Sequence, residues 1–147
     1  MSTDHTTAWS TAAAAGTLTE LVGARALEVA SFIVEAPAGA GKTELLTQRF
    51  LRLLAIVDHP EEVVALTFTN KAATEMRDRI LRSLEAAGRT EAPGAEHTKL
   101  TFDLARHVLA RDGEHGWGLL AHPGRLRITT LDALCASLAR QMPFLSR

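Results

Sequence analysis

The chain is poor in several things, and each shortage removes a class of protein. It has one cysteine, Cys135, so no disulfide can form within it, and a reducing compartment suits it. No apolar run approaches the length needed to cross a bilayer, so no membrane partner is expected. No basic segment precedes an apolar one near the N-terminus, so a secretory signal is not expected and the expected location is cytoplasmic. Neither sign of charge dominates: the formal net charge is −1, which excludes a global attraction for nucleic acid and leaves only local contact. The six histidines are scattered without metal-ligand spacing. Internal repeats and long low-complexity segments are missing as well.

What is present is one domain's length of chain, 147 residues, with enough apolar side chains to build a core. Residues 1–17 are mostly Ser, Thr and Ala without pattern and read as a tail; residues 18–147 read as the domain. A short helix is expected over 18–30, then a buried strand over 32–35. After that strand comes Ala36-Pro37-Ala38-Gly39-Ala40-Gly41-Lys42-Thr43, the phosphate-loop pattern with Ala36 where the strictest form has glycine. Glycines let the main chain curl so that its N–H groups converge on phosphate oxygens. The helix that follows adds its unpaired N–H groups and the positive end of its dipole. In this pattern Lys42 supplies charge to the β- and γ-phosphates and Thr43 a hydroxyl to Mg²⁺, which makes ATP with Mg²⁺ the expected cofactor. Pro37 has no N–H and only shapes the turn.

Beyond the loop, Leu46, Phe50, Leu53 and Leu54 are expected on the inner face of a helix, with Gln48, Arg49 and Arg52 off it. Residues 63–69 form a second strand, and a helix follows over 71–87, with Met76, Ile80 and Leu84 inward and Glu75–Arg79 and Asp78–Arg82 paired along the surface. Leu100, Leu104 and Val108 mark a further helix ending near Gly113. Trp117 anchors an irregular segment, a third strand covers 126–130, and a last helix carries Leu134, Cys135 and Leu138 on its packing face. Strands alternating with helices and long crossovers give an α/β fold, a parallel sheet flanked by helices, with its ligand at the carboxyl ends of the strands.

The second strand and its sequel, Leu66-Thr-Phe-Thr-Asn-Lys-Ala-Ala-Thr-Glu-Met-Arg77, begin 23 residues after Thr43 and resemble motif Ia of superfamily 1 DNA helicases of the UvrD/Rep/RecB type. The loop looks like the one in their RecB/AddA-like helicase–nucleases, and Arg127-Ile-Thr-Thr-Leu-Asp-Ala-Leu-Cys135 looks like motif Ib. The resemblance implies a RecA-like P-loop NTPase fold, here the incomplete N-terminal part of helicase domain 1A. It also implies single-stranded DNA as partner, 3′-to-5′ polarity, and a role in repair or recombination beside a nuclease or helicase subunit. Phe68 would then meet a base, Thr69, Asn70 or Lys71 the phosphodiester chain, and Thr130 and Asp132 the same strand. Taken alone, Phe68 reads more readily as a core residue of a buried strand, Lys71 could equally be a solvated helix start, and Arg77, Arg79 and Arg82 are more simply a salt-paired surface. Asp132 has a second reading too, as the Mg²⁺ carboxylate of a stand-alone, kinase-like nucleotide enzyme.

The chain departs from the family pattern at two places. No glutamine precedes the loop to read adenine, Arg25 being only a positional candidate. The paired acids that hold Mg²⁺ and activate water do not occur in the fifteen residues after Asp132, and neither does a second motor domain. The expectation is therefore an N-terminal piece of an ATP-driven helicase, inactive as a motor on its own.

Overall fold

The computed structural model describes residues 41–89 and 96–141, with Ser31, residues 33–35, Pro37 and Gly39. The tail and the expected helix over 18–30, and Phe32, Ala36, Ala38 and Ala40 of the loop region, lie outside the described residues. Helix α1 (Lys42–Leu54) is followed by a 3₁₀ turn at Pro60–Glu62, strand β1 (Val64–Thr67), helix α2 (Asn70–Ala87) and helix α3 (Glu96–His115). A second 3₁₀ turn at Pro123–Arg125 leads into strand β2 (Arg127–Thr130) and helix α4 (Leu131–Gln141).

β1 and β2 pair in parallel, with Val64 opposite Arg127 and Thr67 opposite Thr130. Parallel neighbours need a crossover, and α2 and α3 supply it. Alternation then sorts the faces: Ile128 and Thr130 are buried against the helices, while Val64 and Leu66 on the other face stay 46% and 49% exposed. The core is the apolar layer where the three long helices meet each other and the sheet, centred on Leu51, Leu54, Ile80, Leu84, Val108 and Leu126. Removing most of a side chain there, as in Leu84→Ala, costs about 2–5 kcal/mol in well-packed interiors.

Local signals explain the element ends. Thr69 caps α2, its hydroxyl accepting from the Ala72 N–H at 3.1 Å. α3 runs through Gly113 and stops at Gly116, whose φ of 64° is the left-handed turn that ends a helix. Trp117 is buried as expected, with its indole N–H donating to the Asp58 carbonyl at 3.1 Å. Arg125 donates to the Trp117 carbonyl at 3.0 Å and grips both oxygens of Glu61, at 2.6 and 3.3 Å. Arg111 of α3 donates to the Val57 carbonyl at 2.8 Å, so the segment before β1 is tied to that helix as well.

Several expectations are corrected. Residues 33–35 are not in a strand and Ile33 is 93% exposed, so the buried strand before the loop does not form there; among the described residues β1 and β2 pair only with each other. On α1, Leu45 and Leu51 are buried and Leu46 is 53% exposed. Gln48, expected outside, is fully buried because α3 packs over that sector and Thr101 accepts from its amide at 3.1 Å. Arg79 pairs with Glu44 of α1 at 3.5 Å rather than with Glu75, whose partner is Lys71 at 3.9 Å. Arg77 is half-buried and donates to the Ile128 carbonyl at 2.7 Å, tying α2 to β2 rather than facing water. Cys135 is exposed, since α4 buries no residue and rests mainly on β2.

Candidate nucleotide and nucleic-acid site

The candidate phosphate site is the N-terminal end of α1. Gly39 and Gly41 have φ of 80° and 84°, in the left-handed region where side chains are strained. A Cβ added at either would touch nothing within 4 Å among the described residues, so conformation rather than crowding selects glycine here. Gly41 is the N-cap residue and offers no side chain to the helix; its carbonyl accepts the first helical bond, from Leu45, at 3.0 Å. The leading N–H groups of any helix lack intrahelical partners, and the N-cap Gly41 has no side chain to cap them. Lys42 and Thr43 open the helix, half-buried and exposed respectively. Thr43 keeps its hydroxyl at the surface while its carbonyl accepts from Thr47 at 2.8 Å. Pro37 and Glu35 are exposed; Ala36, Ala38 and Ala40 lie outside the described residues.

The second cluster sits where the strands end. Because Thr67 is level with Thr130, the residues leaving β1 and β2 emerge from one edge of the sheet. Phe68 is 90% exposed, which removes the reading of it as a core residue. Thr69, Asn70 and Lys71 follow it at the surface, and the Lys71–Glu75 pair is too solvated to immobilise the ammonium. Thr130 differs from its neighbours. It is buried and its hydroxyl accepts from the Ala133 N–H at 3.2 Å, so it caps α4 and sets the direction in which Leu131 and the exposed Asp132 leave the sheet. Among the described residues no three His, Cys, Asp or Glu side chains gather to hold a metal, at Asp132 or elsewhere.

A third group had no trace in the pattern of residues. Glu44, in the first turn of α1, accepts a hydrogen bond from the Thr101 hydroxyl of α3 and an ion pair from Arg79 of α2. Thr101 in turn accepts from the buried Gln48. Partners as far apart as 53 and 57 residues carry no shared spacing, so only the packed helices reveal them.

The pattern that defines the UvrD/REP helicase N-terminal domain matches residues 22–145. The chain belongs to the UvrD/REP helicase family. An ATP-dependent helicase/nuclease subunit from Acetivibrio thermocellus is 31% identical over 113 residues, covering 75% of this chain and 8% of that protein. The corresponding subunit from Desulfitobacterium hafniense is 35% identical over 118 residues, 77% of this chain and 7% of its own length. The ATP-dependent DNA helicase PcrA of Leuconostoc citreum is 43% identical over 84 residues, 56% of this chain and 10% of the relative. The helicase domain thus spans a tenth or less of the curated relatives it matches. No solved structure matches it.

For a helicase of this family the implied cofactor is ATP, and the residues in place fit its phosphate chain. Gly39 and Gly41 are left-handed, a helix N-terminus follows, and Lys42 stands at its first position.

Proposed function

We propose that this helicase domain binds the phosphates of ATP at the N-terminal end of α1 and grips single-stranded DNA along the carboxyl edge of the β1–β2 pair. The observation that carries the reading is the 90% exposure of Phe68 at an edge where Thr69, Asn70, Lys71 and Asp132 also surface. An aromatic ring held out of the core beside amide, hydroxyl and ammonium groups is the arrangement that stacks a base and holds its backbone. At the other cluster, main-chain N–H groups around Gly39 and Gly41 orient the phosphates, Lys42 balances their charge, and the Thr43 hydroxyl completes a Mg²⁺ shell. The bound nucleotide supplies the phosphoanhydride bond whose cleavage drives the motor.

Turnover needs more than these residues. Phosphoryl transfer rests on positioning and charge stabilisation, and among the described residues no three His, Cys, Asp or Glu side chains gather around a metal. The domain on its own therefore binds nucleotide without appreciable hydrolysis. Stepping along DNA in the 3′-to-5′ sense, and a repair or recombination role beside a partner subunit, belong to a larger assembly. The relatives' description as helicase/nuclease subunits supports that placement.

The test uses the chain itself with a fluorescent ATP analogue plus Mg²⁺, and with a labelled oligo-dT. Lys42→Ala should abolish analogue binding and leave oligonucleotide binding intact. Phe68→Ala should do the reverse, weakening oligonucleotide binding by about 1 kcal/mol or more, roughly fivefold. Unchanged oligonucleotide affinity in Phe68→Ala would remove the nucleic-acid assignment, and brisk DNA-stimulated hydrolysis by the isolated chain would overturn the need for further residues.

A further inference from the structure

We propose that Arg79 and Glu44 form a charge-balancing pair that keeps the candidate phosphate site electropositive, which makes Arg79 a positioning residue for nucleotide although it lies on a different helix. The proposal rests on the nucleotide reading of α1. Glu44 is the acidic residue of the first turn of α1, immediately after Thr43. Without nucleotide, a carboxylate there favours the helix, because it faces the positive end of the dipole. With a triphosphate at the same end, that carboxylate is a like charge beside a polyanion and opposes binding. A phosphate-binding helix carrying an acid at this position needs a counter-charge.

The structure provides one. Glu44 is only 27% exposed and its two oxygens are divided between two helices: Oε2 lies 3.5 Å from Nη1 of Arg79 on α2, and Oε1 accepts the hydroxyl of the buried Thr101 on α3. Thr101 is itself fixed by the Gln48 amide at 3.1 Å. The carboxylate is therefore held in place, and its charge is met by one guanidinium. Arg79 is 49% exposed and lines a cleft of about 390 Å³ between α2 and α3 beside Glu75 and Arg82. Glu75 also lines that cleft, but the carboxylate that Arg79 contacts is that of Glu44. Since α2 begins at Asn70 and Lys71, the helix that carries the candidate DNA-gripping residues at its start carries the counter-charge for the phosphate helix two and a half turns later.

A charge role and a merely structural role predict opposite signs, and the affinity of the chain for a fluorescent ATP analogue with Mg²⁺ separates them. Arg79→Gln leaves Glu44 unbalanced and should weaken binding about threefold to tenfold at low salt, with the effect shrinking as salt rises. Glu44→Gln keeps an acceptor for Thr101 but removes the charge, so it should bind as tightly as the parent chain or more tightly. The double variant Arg79→Gln/Glu44→Gln should return to within about twofold of the parent, because both charges are gone. Arg79→Lys should bind like the parent. Unchanged affinity in Arg79→Gln, or a double variant no better than that single one, would overturn the proposal while loss of binding in Lys42→Ala still upheld the site. Absence of binding by the parent chain would sink both readings together. If Arg79→Gln loses its helical circular dichroism, Glu44→Gln decides alone: weaker binding refutes charge balance, and equal or tighter binding supports it.

Discussion

Single residues decide what the chemistry can be, and several were legible without coordinates. The glycines flanking Ala40 and the Lys42-Thr43 pair declared a curled turn leading into a helix, because few other sequences need that conformation. Phe68 on its residue type alone reads as core, since an aromatic ending an apolar strand suits a buried position; its exposure overturns that reading. Gln48 and Arg77 were misread because their partners, a threonine hydroxyl on α3 and the Ile128 carbonyl, are set by packing and leave no mark in spacing. Glu61 shows the same kind of long-range partnership with a measurable outcome. Its hydrogen bonds from the Arg125 guanidinium hold its carboxyl below the usual carboxylate range, despite an opposing push from partial burial. A depressed acid contributes stability that is present above its unfolded value and lost as pH falls through the folded one. Thermal scans across the acid range should therefore show Glu61→Gln to be less stable than the parent near neutrality, with the two curves converging below the usual carboxylate range. The pair is about one-third exposed on either side, so solvent screening keeps the difference small.

At the scale of elements, α2 was the most legible. Expected over 71–87 and found as Asn70–Ala87, it announces itself through Ile80 and Leu84 at helical spacing and through a threonine placed to cap it. β2 was nearly as clear, whereas the strand expected over 32–35 was not realised in residues 33–35. Its residue types suit a strand, but a strand is defined by a neighbour's hydrogen bonds, and among the described residues β1 and β2 have only each other. The stop of α3 was placed too early because Gly113 looked like a terminator, while the left-handed residue is Gly116. Thr69 serves two elements, ending the segment that carries Phe68 and starting α2. Thr69→Ala should lower unfolding free energy by about 1 kcal/mol in urea melts, as loss of an N-cap does. Thr69→Asn, also a good cap, should recover most of it; no recovery would mean that the hydroxyl acts elsewhere.

Across the described residues the molecule is three mutually packed helices, of which α2 rests on a short parallel sheet, with α4 on the strand end. Parallel sheets elsewhere are covered on both faces, yet here Val64 and Leu66 look outward with Arg127 and Thr129 across from them. Leu66→Thr, a change that keeps strand preference and removes apolar surface, should cut the binding of a hydrophobic dye and reduce light scattering with little shift in melting temperature. Unaltered scattering would assign the stickiness to another surface. The half-exposed side of the β1–β2 ribbon has a practical corollary for anyone handling the chain. Its shelf life should be governed by how crowded the tube is, so dilution will preserve a sample that concentration spoils.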